Sequence, residues 1–323
     1  MTLDVGVLMD PIGAVKLRKD STLAMLLEAQ RRGHRLWYAT QRDLMLDGGE
    51  PYGRLAPLVV RDDPASWFEL GPAAAMPLAR CDVFLARKDP PFDSQFLYDT
   101  LVLEQASARG CRVVNAPQAL RDANEKLFAL LFPQCIPETR VARDAALLRE
   151  FVESVGEVVL KPLDGMAGRS IFRTHRGDPN LNVILETLTR DGAELAMAQR
   201  YVHQITDGDK RILVIDGEPV PYCLARIPQG DDFRGNLARG GKGVGRPLSE
   251  RDRWIVAQVA PELVRRGIVF AGLDVIGDWL TEINVTSPTG IRELDAQFGL
   301  NIAGMLFDAI ERMPKAAHAS PPS

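Results

Sequence analysis

The stretch Phe270-Ala271-Gly272-Leu273-Asp274-Val275-Ile276-Gly277-Asp278-Trp279-Leu280-Thr281-Glu282-Ile283-Asn284-Val285-Thr286 reads as two β-rich runs joined by a short turn. Side chains alternate along a strand, so Glu282 and Asn284 share a face. A carboxylate and a carboxamide side by side are hard oxygen donors of the kind Mg²⁺ takes, together with waters and substrate phosphates. Asp274, on the preceding run, is a third candidate ligand. Its convergence depends on register. A two-residue turn at Gly277-Asp278 pairs Asp274 with Thr281 and sends it to the face opposite Glu282. A three-residue turn, Gly277 to Trp279, pairs Asp274 with Glu282 and collects all three oxygen groups. A polar hairpin edge would use the same residues, so the rest of the chain has to decide.

The bounds are those of an ordinary globular protein. The chain has 323 residues, enough for two or three domains, and its 46% hydrophobic and 25% charged content argues against disorder. A net charge of -4 makes bulk nucleic-acid binding an unexpected role. No apolar run reaches membrane-spanning length. Cys81, Cys111, Cys135 and Cys223 lack metal-ligand spacing and read as buried thiols in a reducing compartment. The first residues enter a strand pattern directly, so no secretory signal is expected and the location reads as cytoplasmic.

Leu3 to Met9 reads as a strand. Asp20-Ser21 caps a helix that Gly33 terminates, and His34 to Ala39 reads as the next strand. Asp82 to Arg87, a helix from about Asp99 to Arg109, and Cys111 to Asn115 continue the pattern. This predicts an open parallel-sheet α/β domain over 1–122, Rossmann-like but without the G-x-G-x-x-G fingerprint. A helix is expected over about Leu120 to Phe132. Beyond it, the hairpins Val158 to Arg173 and Arg211 to Ala225 argue α+β, divided into 123–200 and 201–315, with a disordered tail over 316–323.

Lys161 closes a strand, and the glycine-containing loop Gly165 to Gly168 follows. Glycines let backbone N–H groups approach phosphates, and a lysine brings mobile positive charge. Gln199-Arg200-Tyr201-Val202 follows an apolar strand, Glu194 to Ala198. As a linker it could present backbone groups to an adenine edge, with a carboxylate a few residues on for ribose hydroxyls. Ile227 to Gly245 holds glycines interspersed with Arg234, Asn236, Arg239 and Lys242, a composition that suits a catalytic lid. Arg87 and Arg226 each end an apolar strand, where a fixed guanidinium can grip a carboxylate. The histidines form no metal or triad spacing.

Together these pieces resemble the ATP-grasp superfamily and, within it, the bacterial glutathione synthetases. The resemblance runs from about Leu3 to Ile310. It is carried by strings such as Leu26 to Gly33, Arg87 to Asp93, Asn124 to Leu127, Leu160 to Met166, Asp207 to Arg211, Gly217 to Gly230, Arg234 to Ala238 and Thr281 to Thr289. It implies a ligase that joins γ-glutamylcysteine to glycine, with ATP becoming ADP and phosphate through an acyl phosphate, and Mg²⁺ or Mn²⁺ as cofactor. Lys126 and Lys161 would bind ATP phosphates beneath the loop Gly165 to Gly168. Gln199, Tyr201 and Val202 would receive adenine, Asp209 the ribose, and Arg211 the phosphates. Asp274, Glu282 and Asn284 would hold the metal. Arg87, Arg226 and Arg234 would contact the dipeptide or its phosphoryl group, with Asn236, Ser287 and Thr289 beside them and Ile227 to Lys242 as the lid. A homo-oligomer, commonly a tetramer, is also implied. The small loop departs from the family pattern: Ala167 adds a Cβ and Arg169 a charge. A different carboxylate–amine ligase of the same superfamily, such as the D-alanine–D-alanine type, is the nearest alternative. A non-catalytic nucleotide-binding regulator is a more distant one.

Overall fold

The computed structural model describes residues 2–165, 168–229 and 242–313. Arg234, Asn236, Ala167, most of the expected lid and the expected tail lie outside them.

The first sheet grows from β1 (Asp4–Leu8), followed by α1 (Ser21–Arg31) and β2 (Arg35–Ala39). β1 carries Val5, Val7 and Leu8 fully buried, as a strand covered on both faces requires. The Asp20 carboxylate accepts from the Leu23 N–H at 2.6 Å and starts α1, and Gly33, at φ +79°, ends it. An antiparallel arm follows that the sequence reading did not contain: β3 (Leu44–Asp47), β4 (Glu50–Val60), β5 (Phe68–Leu70) and β6 (Ala74–Pro77). Then come β7 (Val83–Ala86), α2 (Ser94–Ala108) and β8 (Arg112–Val114). The order β3-β4-β2-β1-β7-β8 keeps a parallel centre, β2-β1-β7-β8, with the arm on one side.

After α3 (Pro117–Asp122) the chain builds β9 (Thr139–Ala142), α4 (Ala145–Val155), β10 (Glu157–Pro162), β11 (Phe172–His175), α5 (Leu181–Thr189) and β12 (Ala196–Arg200). The expected helix over Leu120 to Phe132 is corrected. It stops at Asp122, and only a 3-10 turn, Phe128–Leu131, follows. Between them the Asn124 side chain accepts from the Lys126 and Leu127 N–H groups at 3.1 and 3.0 Å, which holds the backbone in a turn. The sheet order is β11-β10-β12-β9, antiparallel throughout. Val158 and Leu160 point into the core beneath α4 and α5, so Val159, Lys161 and Gln199 face the opposite side. Gln199 and Arg200 belong to β12 and not to a linker.

The third sheet comprises β13 (Asp209–Ile215), β14 (Glu218–Ile227), β15 (Lys242–Pro247), β16 (Phe270–Ile276) and β17 (Trp279–Asn284), with α6 (Glu250–Arg265) between β15 and β16. α7 (Ile291–Phe298) and α8 (Ile302–Arg312) close the described chain. The order β15-β14-β13-β16-β17 is antiparallel. Ile212, Val214, Leu273 and Val275 pack in one core with Ile255, Val259 and Leu263 of α6.

The hairpin turn corrects the reading above. Ile276 pairs with Trp279 and Val275 with Leu280, so Gly277-Asp278 is a two-residue turn, with Gly277 at φ +57°. The register then shifts between Asp274 and Val275, and Asp274 pairs with Glu282 all the same. Thr281 is the extra residue of a β-bulge. It is buried, and its hydroxyl donates to the Asp274 carbonyl at 3.1 Å.

Candidate active site

Pairing sets up two rows of side chains on one face of the third sheet. Arg211 of β13 lies opposite Asp274 of β16, which lies opposite Glu282 of β17. Asp209 lies opposite Arg226 of β14. Gly272 makes room for the first row: a Cβ there would stand 2.8 Å from Arg211 Cδ and 2.9 Å from Pro288 Cβ. The polar face of β10 and β12 looks onto these rows, and the two enclose a cavity of about 360 Å³. Lys161, Gly165, Gly168, Gln199, Tyr201, Val202, Asp209, Arg211, Arg226, Asp274, Glu282, Asn284, Ser287 and Thr289 all line it.

The charges are buried and shared. Asp274 takes Arg211 Nε at 2.5 Å and Nη2 at 3.0 Å in a fork, and Arg226 Nη2 lies 2.9 Å from its Oδ2. Burial would raise this carboxyl, but Arg211 and Arg226 outweigh it and hold the group at about 2. Arg226 also ion-pairs with Asp209 Oδ2, while Asp209 Oδ1 is buried with no hydrogen-bond partner. Burial dominates there and pushes Asp209 up to about 6, against the pull of Arg226. Glu282 Oε1 lies 3.5 Å from Lys161 Nζ and 3.7 Å from Lys126 Nζ. Burial opposes ionisation of Glu282, and the two lysines overcome it, so its carboxyl sits below the ordinary value. Burial lowers Lys161 below the ordinary lysine range.

Lys126 is nearly inaccessible and does not line the cavity, yet it ties three elements together. Its ammonium donates to Glu125 Oε1 at 2.5 Å and to the Gly165 carbonyl at 2.9 Å, beside Glu282. Glu125 is a site residue that the sequence reading missed. It lies inside the string Asn124 to Leu127, where only Lys126 was assigned a role. Its carbonyl accepts from the Ile283 N–H at 2.8 Å, which docks this turn on the edge of β17. Asp89 and Thr281 also line the cavity without having been singled out.

Gln199 already spends its side chain on Thr139 and Lys161. The Tyr201 N–H donates to the Glu157 carbonyl at 3.0 Å, and the Arg173 guanidinium covers the Tyr201 ring at 4.1 Å. Arg87 stands behind the wall. Its guanidinium donates to Thr22 Oγ1 at 3.1 Å and to the Pro288 carbonyl at 2.9 Å, and burial lowers it to about 10.

The oxygen set fits a divalent cation. Asp274 and Glu282 are both held anionic, Asn284 is two residues from Glu282, and Asp274 Oδ1 receives a single hydrogen bond. Asn284 Nδ2 lies 3.2 Å from Asp274 Oδ2, and Asp274 pairs across the ladder with Glu282.

Two family descriptions cover most of the chain: the N-terminal domain of prokaryotic glutathione synthetase over residues 3–121, and its ATP-grasp domain over 125–299. The glutathione synthetase of Xanthomonas campestris pv. campestris is 67% identical over 311 residues, covering 96% of this chain and 98% of that one. The glutathione synthetase of Pseudomonas putida is 59% identical over 316 residues, covering 98% and 100%. Among solved structures, D-cycloserine synthetase DcsG superposes with a TM-score of 0.66 at 16% identity, covering 95% of this chain and 99% of that one, and shows the ATP-grasp fold alone. The chain belongs to the prokaryotic glutathione synthetase family.

Proposed function

We propose that this chain joins γ-glutamylcysteine to glycine, converting ATP to ADP and phosphate and releasing glutathione. One observation carries the reading: a single cavity gathers Lys161, Arg211 and Arg226 around the paired carboxylates Asp274 and Glu282. A carboxylate is a poor acyl donor. Its oxygen attacks the γ-phosphorus of ATP, the bond from that phosphorus to the β–γ bridging oxygen breaks, and ADP leaves. The glycine nitrogen then attacks the acyl phosphate carbon, loses a proton and expels phosphate, and the amide remains. Both steps develop negative charge on oxygen, which fixed cations neutralise without reorganising.

Lys126, Lys161 and Arg211 are assigned to the ATP phosphates, and Arg226 to the transferring phosphoryl group. Arg87, Ser287 and Thr289 are assigned to the dipeptide, with Arg234 and Asn236 of the lid. Gln199, Tyr201 and Val202 are assigned to adenine. Asp209 Oδ1, buried without a donor, suits a ribose hydroxyl. Asp274, Glu282 and Asn284 would hold Mg²⁺ or Mn²⁺, which supplies charge neutralisation on phosphates when bound. An acyl phosphate hydrolyses in water, so the lid over Ile227 to Lys242 serves to exclude solvent.

The enzyme is read as a cytoplasmic homo-oligomer. Its four cysteines are buried free thiols, and no helix among the described residues is long and apolar enough to cross a membrane. Positional isotope exchange in ATP tests the route. Exchange that requires γ-glutamylcysteine is expected, and its absence under turnover would contradict an acyl phosphate.

A further inference from the structure

Lys126 stands between two carboxylates and is bonded to only one of them. Its ammonium donates to Glu125 Oε1 at 2.5 Å and to the Gly165 carbonyl at 2.9 Å, while Glu282 Oε1 lies 3.7 Å away. Charge-assisted N–H···O bonds close to about 2.7–2.9 Å, so Glu282 is near this cation without being tied to it. Burial works against the Lys126 charge, and Glu282 and Glu125 together more than restore it. The ammonium is therefore drawn to both carboxylates, and Glu125 holds it.

Glu125 can do so because its backbone is fixed. Its carbonyl accepts from the Ile283 N–H at 2.8 Å, one residue past Glu282. Beside it, Asn124 Nδ2 donates to the Leu163 carbonyl at 3.1 Å, and Asn124 Oδ1 accepts from the Lys126 and Leu127 N–H groups. On the other side of Glu282, Lys161 Nζ stands 3.5 Å from Oε1 and 3.4 Å from Gln199 Oε1. Neither lysine closes on Glu282. Glu125 and Glu282 both line the cavity, where a ligand can reach them.

We infer that Glu125 is a positioning residue for the metal site, keeping the Lys126 ammonium off Glu282 so that Glu282 can offer its oxygen to a divalent cation. This rests on the reading of Asp274, Glu282 and Asn284 as the metal donors. An ammonium tied to a carboxylate and a divalent cation compete for the same oxygens. Without the Glu125 charge, Glu282 is the nearest anion to a buried ammonium that is costly to leave unpaired. A cation would then have to displace Lys126 before it could bind.

The test measures the affinity of the full-length protein for AMP-PNP by calorimetry, with Mn²⁺ and again in EDTA, and takes the ratio. Contacts made to the nucleotide alone cancel in that ratio. The parent should bind AMP-PNP more tightly with Mn²⁺. Glu125→Gln keeps the shape and should cut this gain about 10-fold, as expected when a residue supporting a metal ligand is replaced. In a Lys126→Gln background no ammonium can close on Glu282, and adding Glu125→Gln should change the gain by less than about 2-fold. Glu125→Asp withdraws the carboxylate by one methylene and should give an intermediate gain, which also serves if the glutamine variant fails to fold. An unchanged gain in either folded variant overturns the inference. So does an equal loss with and without Lys126, which would mean that Glu125 acts on the metal directly. If Mn²⁺ brings the parent no gain at all, the metal reading fails first and takes this inference with it.

Discussion

Asp274 stands directly opposite Glu282 across β16 and β17, although the turn that joins these strands has only two residues. The bulge at Thr281 resolves the two facts. It absorbs the residue that would otherwise rotate Asp274 away, and its hydroxyl returns to the Asp274 carbonyl. The acidic pair is therefore built by an irregularity in the ladder, beside the cavity it serves.

Glu282 lies within reach of both buried lysines. Glu282→Gln removes the charge and keeps the shape, and kcat should fall at least about 10²-fold, as when a key electrostatic contact to the transition state is lost. Phosphate release under saturating substrates measures it. Retained turnover would favour a different set of metal donors.

Asp274 is the shared counter-charge of Arg211 and Arg226. Asp274→Asn leaves two buried cations without it and should cost about 3–5 kcal/mol in chemical denaturation. The folded carboxyl sits at about 2 against an ordinary 3.8, so its contribution is complete above pH 3.8 and is lost as pH falls through about 2. The gap between parent and variant should be flat from pH 5 to 8 and close only in acid.

Asp209, at about 6, is half protonated in a range where most carboxyls are ionised. Only the ionised group keeps Oδ2 on Arg226 and leaves Oδ1 free to accept a ribose hydroxyl. The KM for ATP should therefore rise as pH falls through about 6, and Asp209→Asn should flatten that dependence. A KM profile unaffected by the substitution would remove Asp209 from the nucleotide site.

Gly272→Ala places a methyl 2.8 Å from Arg211 Cδ and 2.9 Å from Pro288 Cβ. Overpacking of this kind should cost about 1–3 kcal/mol, and it displaces the guanidinium that we assign to the ATP phosphates. Loss of kcat at a temperature where the variant remains folded is the expected signature.

Much of this site was legible because its chemistry sits on strands. Alternation put Glu282 and Asn284 on one face, and the cap at Asp20 and stop at Gly33 marked α1. What escaped was set by tertiary contact. The helical pattern over Leu120 to Phe132 breaks because the Glu125 carbonyl pairs with Ile283 and Lys126 is drawn between Glu125 and Gly165. Turn chemistry at Gly277-Asp278 could not reveal a bulge three residues on.

Release of ADP, followed with γ-glutamylcysteine and ATP in the presence and absence of glycine, separates glutathione synthesis from any other carboxylate–amine ligation. Sustained ADP release that needs both amino substrates, matched by an equal yield of glutathione, is the predicted result. ADP release indifferent to γ-glutamylcysteine, or supported instead by another acceptor pair such as D-alanine with D-alanine, would contradict it.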